Sequence, residues 1–331
     1  MLEFLDHKNV LFITTKNLDY IRNSQELRLI RERAASCAVI GSGQKSYAKR
    51  LFSVYRKLLF TSMKPYDLVF VGFAPQLVVP FFRRLRKREL AIDFFISMYD
   101  TLVWDRKKLK DGSLPARLLK GLDRKTLALA DEIVADTKAH GAYFAEELGA
   151  AAGKLHTLYL EADASIYYPR EQKKEGGFED RFVVLYFGSV LPLQGVPVIL
   201  EAMERLRMRE DIFFYMIGPL GGQVKKPDTF HVRYIPWLSQ EALAEAVAGA
   251  DLCLAGHFHG TIGKAKRTIP GKAYIYRAMG KPMILGDNEA NRELYREGDG
   301  RTHFVEMGNA EALADKIAAL ADDWKRQRNG E

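Results

Sequence analysis

Phe182-Val183-Val184-Leu185-Tyr186-Phe187-Gly188-Ser189-Val190-Leu191-Pro192-Leu193-Gln194-Gly195 is the stretch that decides the fold. A short, almost wholly apolar run reads as a strand buried on both faces. It breaks at Gly188, and a helical pattern begins just past Gly195, over residues 197–206. The same alternation spreads outward from it. In the second half, strands are expected at 212–217, 230–235, 251–255, 282–286 and 303–306, with helices at 240–247, 271–279, 290–297 and 310–322. In the first half, strands are expected at 9–15, 37–40, 67–73, 90–96, 132–136 and 155–160. A helix over 21–35 carries Leu27, Ile30 and Ala34, and another over 45–62 carries Tyr47, Leu51, Val54, Tyr55, Leu58 and Leu59 at helical spacing. Short apolar strands separated by helices mean a parallel sheet covered on both faces, here twice over. The polar segment 161–180, with Pro169 and the pair Gly176-Gly177, reads as a linker. The expected organisation is a first domain over 1–160, a linker over 161–180, a second domain over 181–322 and a tail over 323–331.

A chain of 331 residues agrees with two domains at roughly 150 residues each. Its 47% hydrophobic and 28% charged residues are ordinary for a globular protein. No apolar run approaches the roughly 20 residues that span a bilayer, and the acidic opening Met1-Leu2-Glu3-Phe4-Leu5-Asp6 does not read as a signal peptide. Cys37 and Cys253 sit in separate strand-like runs without metal-ligand spacing, so they are expected as buried thiols in a reducing, cytoplasmic compartment, with no metal site. The net charge of +8 is uneven: residues 1–154 carry +10 and the remainder −2. The basic surface therefore belongs to the first half.

Alternation alone names no reaction. It does locate the site, because ligands of open parallel sheets bind beyond the carboxyl ends of the strands, and two such domains in tandem are expected to face each other across a cleft. The segments to weigh are 14–16, 97–101 and 136–137 in the first half, and 188–195, 218–222, 256–267 and 287–293 in the second. Gly188 and Gly195 bound a loop whose backbone can approach a ligand and whose following helix offers free N–H groups to an anion. A routine strand–helix turn explains the same glycines. Lys272 falls in the first turn of a helix opened by Pro270, where the dipole disfavours a cation unless it serves an anion. A solvated lysine is the plainer alternative. Gly41-Ser42-Gly43-Gln44-Lys45-Ser46 only faintly suggests a phosphate loop; its spacing is wrong, and a turn entering a helix fits better.

Taken together, residues 187–195, 270–282 and 286–294 resemble the nucleotide-binding phrases of the family 4, GT-B-fold glycosyltransferases. Pro65-Tyr66-Asp67-Leu68-Val69-Phe70, Asp123-Arg124 and Ala130-Asp131-Glu132-Ile133-Val134-Ala135-Asp136-Thr137 resemble that family's acceptor-domain phrases. Glu161-Ala162-Asp163 followed by Tyr168-Pro169 resembles its interdomain segment. The order and spacing of these phrases, rather than any one of them, carry the resemblance. It implies an α/β GT-B architecture and transfer of a sugar from a nucleotide-sugar donor, by a retaining, metal-independent route without a cofactor. A donor phosphate oxygen would receive the acceptor's proton. Donor contacts implied by position are Gly188, Ser189, Gln194, Gly195, Lys264, Lys266, Arg267, Lys272 and Glu293, and Asp100 is the catalytic candidate on the acceptor side. Glu293 could instead cap the helix starting near Asn288, and Asp100 could cap its loop. His257 and His259 are placed toward the donor, with ordinary loop histidines as the alternative; His140 and His156 read as solvated or structural.

The departures are specific. Gln194 stands where the family has lysine, Ser189 where a basic residue is common, and Arg267 and Ile275 where it has two glutamates. The expectation is that Lys264, Lys266, Arg267 and Lys272 take over phosphate neutralisation. Three basic clusters account for the first half's charge: Arg83-Arg84-Leu85-Arg86-Lys87-Arg88, Arg106-Lys107-Lys108-Leu109-Lys110, and Lys49, Arg50, Arg56 and Lys57 around Leu51, Phe52 and Tyr55. A solvated face is one reading. An anionic membrane surface presenting a lipid-linked acceptor is the other, and no nucleic-acid module is visible. Three function classes stand at this point: a glycosyltransferase, a sugar-nucleotide epimerase of the same fold, and a non-catalytic subunit that binds nucleotide or a partner.

Overall fold

The computed structural model describes residues 2–171, 174, 178–220, 226, 227 and 231–330. The expected loop residues Gly221 and Gly222, the pair Gly176-Gly177 and Phe230 lie outside the described residues. The chain divides into two compact units, Met1–Glu161 and Ala162–Glu331.

The first unit runs β1 (Asn9–Ile13), α1 (Ile21–Arg33), β2 (Ser36–Ile40), α2 (Tyr47–Phe60), β3 (Leu68–Val71), β4 (Glu89–Asp93), α3 (Leu114–Leu129), β5 (Glu132–Ala135), α4 (Lys138–Leu148) and β6 (Leu155–Thr157). Its strands pair in parallel in the order β2-β1-β3-β4-β5-β6. Strand side chains alternate between faces, and both faces are dry. Leu11, Ile13, Val69, Val71, Ile92 and Ile133 pack with Val54 and Leu58 of α2 and Phe144 of α4. Val10, Phe12, Leu68, Phe70 and Val134 pack with Leu27 and Ile30 of α1. Each such side chain contributes about 1.5–3 kcal/mol when fully buried.

The second unit runs β7 (Phe182–Phe187), α5 (Val196–Arg205), β8 (Ile212–Ile217), β9 (Val232–Ile235), α6 (Gln240–Gly249), β10 (Leu252–Gly256), α7 (Gly263–Arg267), α8 (Gly271–Ala278), β11 (Met283–Gly286), α9 (Glu289–Leu294), β12 (Thr302–Val305) and α10 (Ala310–Asn329). All its strands pair in parallel, in the order β12-β11-β10-β7-β8-β9. α7 occupies the end of the 256–267 segment. One sequence expectation is corrected here. The last helix continues past Asp322 to Asn329, so most of the expected tail is helical. Trp324 explains the extension: its ring lies 5.8 Å from that of Phe182 and anchors the extra turns to the core. Among the described residues no helix is long and apolar enough to cross a membrane.

Candidate functional site

In the second unit β7 is central, and chain order reverses between β7 and β10. A doubly wound sheet binds its ligand at such a switch point, beyond the strand carboxyl ends. Gly188 follows β7 there, and Gly256 ends β10. Gly256 has φ +90°, and a Cβ on it would lie 2.5 Å from Oε1 of Gln194 and 3.2 Å from Nζ of Lys272. Gly188 has φ +140°, and its Cβ would lie 3.2 Å from the same Nζ. Any side chain at these two positions would both strain the backbone and fill the space around the lysine.

Lys272 is the centre of this arrangement. It lies in the first turn of α8 and is only 6% exposed. Its ammonium donates to Oε1 of Gln194 at 2.7 Å and sits 4.1 Å from the Tyr186 ring centroid. No carboxylate pairs with it among the described residues. Burial pushes its pKa well below the usual lysine value, since nothing negative offsets the lost hydration. The Tyr186 hydroxyl, 3.5 Å from the Gly188 Cβ position, is buried without a hydrogen-bond partner among the described residues, and burial raises its pKa. Gln194, standing where the resemblance implies lysine, therefore orients a lysine supplied by another helix.

The remaining donor candidates spread around this centre. Ser189 is exposed. Gly195, at φ +68°, packs against the backbone of Phe258 and His259, where a Cβ would meet atoms at 2.7 Å. On α7, Lys264 is half-buried, Lys266 exposed and Arg267 half-buried, with the Arg267 guanidinium folded over Gly263. That short helix packs on the turn Pro192–Gln194 and on α9. Glu293 is half-buried in α9, but the helix is capped by Asn288, whose Oδ1 accepts from the Asn291 N–H at 2.8 Å. Capping is thus not the role of Glu293. Ile275, replacing a family glutamate, lies on α8 three residues beyond Lys272 and is half-buried. His257 is buried at φ +57°, its Nδ1 donating to the Thr268 carbonyl at 2.8 Å, which makes it part of the loop's framework. His259 Nδ1 accepts from the Thr261 N–H at 3.2 Å.

In the first unit Asp100 is buried at the start of a π-helical turn, Asp100–Asp105, and its N–H donates to Ser97 Oγ at 3.0 Å. The sequence reading missed what holds this segment. Asp123 of α3 accepts from Gln76 Nε2 (2.9 Å), Ser97 Oγ (2.7 Å), the Tyr99 N–H (2.9 Å) and the Met98 N–H (3.2 Å). Burial raises its pKa while these donors pull it down. A buried carboxylate with four donors is an anchor, and only its place in a family phrase had drawn attention to it.

Also missed was an ion cluster on α1. Arg22 donates to Asp93 through Nε (3.0 Å) and Nη2 (2.9 Å), and through Nη1 to the Leu158 carbonyl. Glu26 is buried beside it, with Oε1 3.5 Å from Arg22 Nε, and burial followed by the charge of Asp93 pushes its pKa well above the carboxylate range. In sequence these two residues look like a solvated i,i+4 pair. His140, expected as solvated or structural, is fully buried, with Nδ1 2.6 Å from Asp136 Oδ1 and its ring 4.2 Å from that of Phe144. Cys253 is a buried thiol, whereas Cys37 is only half-buried, because its strand lies at the sheet edge.

Residues 181–323 match the family described as glycosyl transferases group 1. D-inositol 3-phosphate glycosyltransferase 1 of Catenulispora acidiphila is 31% identical over 239 residues, covering 66% of this chain and 55% of that protein. The MMP alpha-(1->4)-mannosyltransferase of Mycolicibacterium hassiacum is 26% identical over 203 residues, covering 50% of this chain and 48% of that protein. The chain spans about half to three fifths of the length of the first curated relatives it matches. Among solved structures, HepE of Anabaena in complex with UDP has a TM-score of 0.66 at 14% identity, covering 96% of this chain and 91% of that one. Sucrose-phosphate synthase of Thermosynechococcus elongatus has a TM-score of 0.70 at 12% identity, covering 95% and 90%. These structures share the two-domain GT-B fold with this chain.

Proposed function

We propose that this chain is a family 4, GT-B-fold glycosyltransferase that transfers a hexose from a nucleoside-diphosphate sugar to a hydroxyl acceptor. One observation carries the reading: the buried Lys272 ammonium, aimed at Gly188 and Gly256, whose partners among the described residues are the neutral Gln194 amide and the Tyr186 ring face. An arriving diphosphate supplies the missing negative charge. In the transition state that charge grows on the departing nucleoside diphosphate, so a fixed ammonium in a low-polarity setting stabilises it more than the ground state. Lys264, Lys266 and Arg267 add positive charge from α7, and Ser189, Gly195 and Glu293 border the donor. Asp100 serves on the acceptor side, and the transfer is retaining, without metal or cofactor. HepE, solved with UDP and with UDP-glucose, makes uridine donors the first to test.

A thermal-shift series with UDP-, GDP- and dTDP-sugars tests this reading. One nucleotide should raise the melting temperature of the wild type and leave Lys272→Met unmoved; no shift with any of them rejects it. The second reading, a nucleotide-binding subunit without transfer, draws on Ile275 standing where a sugar-binding glutamate is implied. It predicts a shift without sugar release or transfer.

The partner reading extends to an anionic membrane. Residues 41–88 hold eleven Lys and Arg against the single acid Asp67. Phe52 and Phe60 of α2 are 71% and 85% exposed, and Phe81 is 62% exposed. The turn Arg83–Lys87 is fastened to the end of α2, where Arg84 Nη1 donates to the Leu59 carbonyl at 2.8 Å. Arg88 Nε reaches the Met63 carbonyl at 2.9 Å. Arg83, Arg86 and Lys87 on that turn are exposed. Cations near an anionic leaflet contribute about 1 kcal/mol each. Replacing Arg83, Arg86 and Lys87 by Gln should reduce sedimentation with phosphatidylserine vesicles. Equal sedimentation of mutant and wild type rejects the membrane reading and leaves the donor site untouched.

A further inference from the structure

Tyr186 lies one residue before the end of β7 and is fully buried, packed with Val196 and Ile199 of α5 and Ile317 of α10. The Lys272 ammonium sits 4.1 Å from its ring centroid and 6.0 Å from that of Phe187. Gly188, the first residue past β7, keeps the adjoining space open: a Cβ there would lie 3.2 Å from the ammonium and 3.5 Å from the Tyr186 hydroxyl. That hydroxyl has no hydrogen-bond partner among the described residues. What Tyr186 offers its neighbour is therefore the face of its ring. Lys174 and Arg292 also lie over rings, 4.5 Å from Trp324 and 4.6 Å from Phe304. Each of them has a carboxylate besides, Asp251 at 2.6 Å for Lys174 and Asp287 at 2.6 Å for Arg292. Over Tyr186, Lys272 has only the Gln194 amide in addition, among the described residues.

We propose that Tyr186 is a positioning residue of the donor site: its ring face takes the place of a counter-ion, keeping Lys272 protonated and fixed beside Gly188 while leaving its charge uncancelled. The inference rests on the donor reading only for what that charge serves. A ring face is negative through its quadrupole yet carries no net charge. It favours the ammonium over the amine and so opposes part of what burial does to this lysine. A carboxylate in the same place would hold the ammonium more strongly, but it would cancel the charge and repel an incoming diphosphate. The ring attracts the cation without competing for the anion.

The test replaces Tyr186, in the full chain, by phenylalanine, para-fluorophenylalanine and trifluorophenylalanine. Fluorine withdraws charge from the ring face and barely alters its size, so packing is kept while the seat for the cation weakens. The first readout needs no nucleotide. It is the Lys272 pKa, from NMR titration of isotope-labelled lysine side chains, with the Lys272 signal identified by its loss in Lys272→Met. The value should be the same in Tyr186→Phe as in the wild type and fall with each added fluorine, to roughly one pH unit lower with the trifluorinated ring. The second readout is UDP affinity by calorimetry. Between the wild type's free-state and bound-state pKa it should fall along the series by up to about tenfold, and below every free-state value it should be equal. A purely structural role would move neither readout with fluorination. Tyr186→Phe and the singly fluorinated variant, nearest in size, carry the comparison if the bulkiest ring unsettles the core. A Lys272 pKa constant along the series overturns the proposal, as does one that drops fully in Tyr186→Phe, which would assign the hold to the hydroxyl. A falling pKa with no UDP binding in any variant rejects the donor reading and leaves the ring's hold on Lys272 standing. UDP binding with a constant pKa rejects this inference alone.

Discussion

Arg22 and Lys272 occupy comparable places, each a buried cation on a helix packed near the carboxyl ends of its unit's strands, at 2% and 6% exposure. Their surroundings are opposite. Burial acts to lower the Arg22 pKa, but Asp93 outweighs it and the result is a rise; two charge-assisted bonds hold the pair. Lys272 has burial alone and a neutral amide. Desolvating an ion costs several kcal/mol, so a fold keeps one either by supplying its counter-ion or by leaving that role to a ligand. The comparison separates a buried base paired by the fold in the first unit from one left without a counter-ion among the described residues in the second.

The largest effect that could break this comparison is on stability. Arg22→Met should destabilise the first unit by about 3–5 kcal/mol, because it strands the Asp93 carboxylate in the core. Lys272→Met should leave the unliganded protein as stable as wild type or more so, since it removes a buried amine that has no counter-ion among the described residues. Urea unfolding of both variants decides. Equal losses would mean that Lys272 is structural. Next in size, Gly256→Ala places a Cβ at φ +90° against Gln194 and should cost roughly 1–2 kcal/mol from backbone strain. It should also weaken nucleotide affinity by displacing Gln194 from Lys272, as titration of the variant would reveal.

A smaller, pH-dependent effect belongs to Glu26. Its folded pKa is raised, so its contribution is fully present below the ordinary value of 4.5 and is lost as pH rises through the folded value. Stability of the first unit should therefore fall with rising pH across that window, and Glu26→Gln should flatten the slope in a pH series of melting curves. An unchanged slope would place the titration elsewhere. The smallest effect is expected at exposed Lys266 on α7, where Lys266→Ala should weaken the donor less than tenfold and only at low salt. A larger, salt-independent loss would shift the main phosphate contact away from Lys272.

The two units also differ in how much could be read from sequence. Strand–helix alternation was legible in both, because each short apolar strand stands apart from its flanking helices, and Gly188, Gln194 and Lys272 were legible as neighbours of the strand ends. The pairing of Gln194 with Lys272 was not, since 78 positions separate them and only the sheet order brings them together. Gly256 gave no signal beyond its glycine. In the first unit, Arg22 and Glu26 spaced at i,i+4 look like any exposed helical pair until the helix is seen to bury them against Asp93. The length of α10 was misjudged for the opposite reason: Trp324 stands among charges, and only its packing on Phe182 shows the helix to continue.

The central claim is that Lys272 awaits an anion, and proton linkage tests it most directly. A diphosphate beside the ammonium favours its charged form and raises the depressed pKa, so binding must take up a proton between the free and bound values. Calorimetry of UDP binding in buffers of different ionisation enthalpy should show proton uptake by the wild type and affinity that falls as pH rises from the free-state pKa to the bound-state pKa. Lys272→Met should bind weakly and show no such uptake. Proton uptake and affinity that survive unchanged in Lys272→Met would contradict the account.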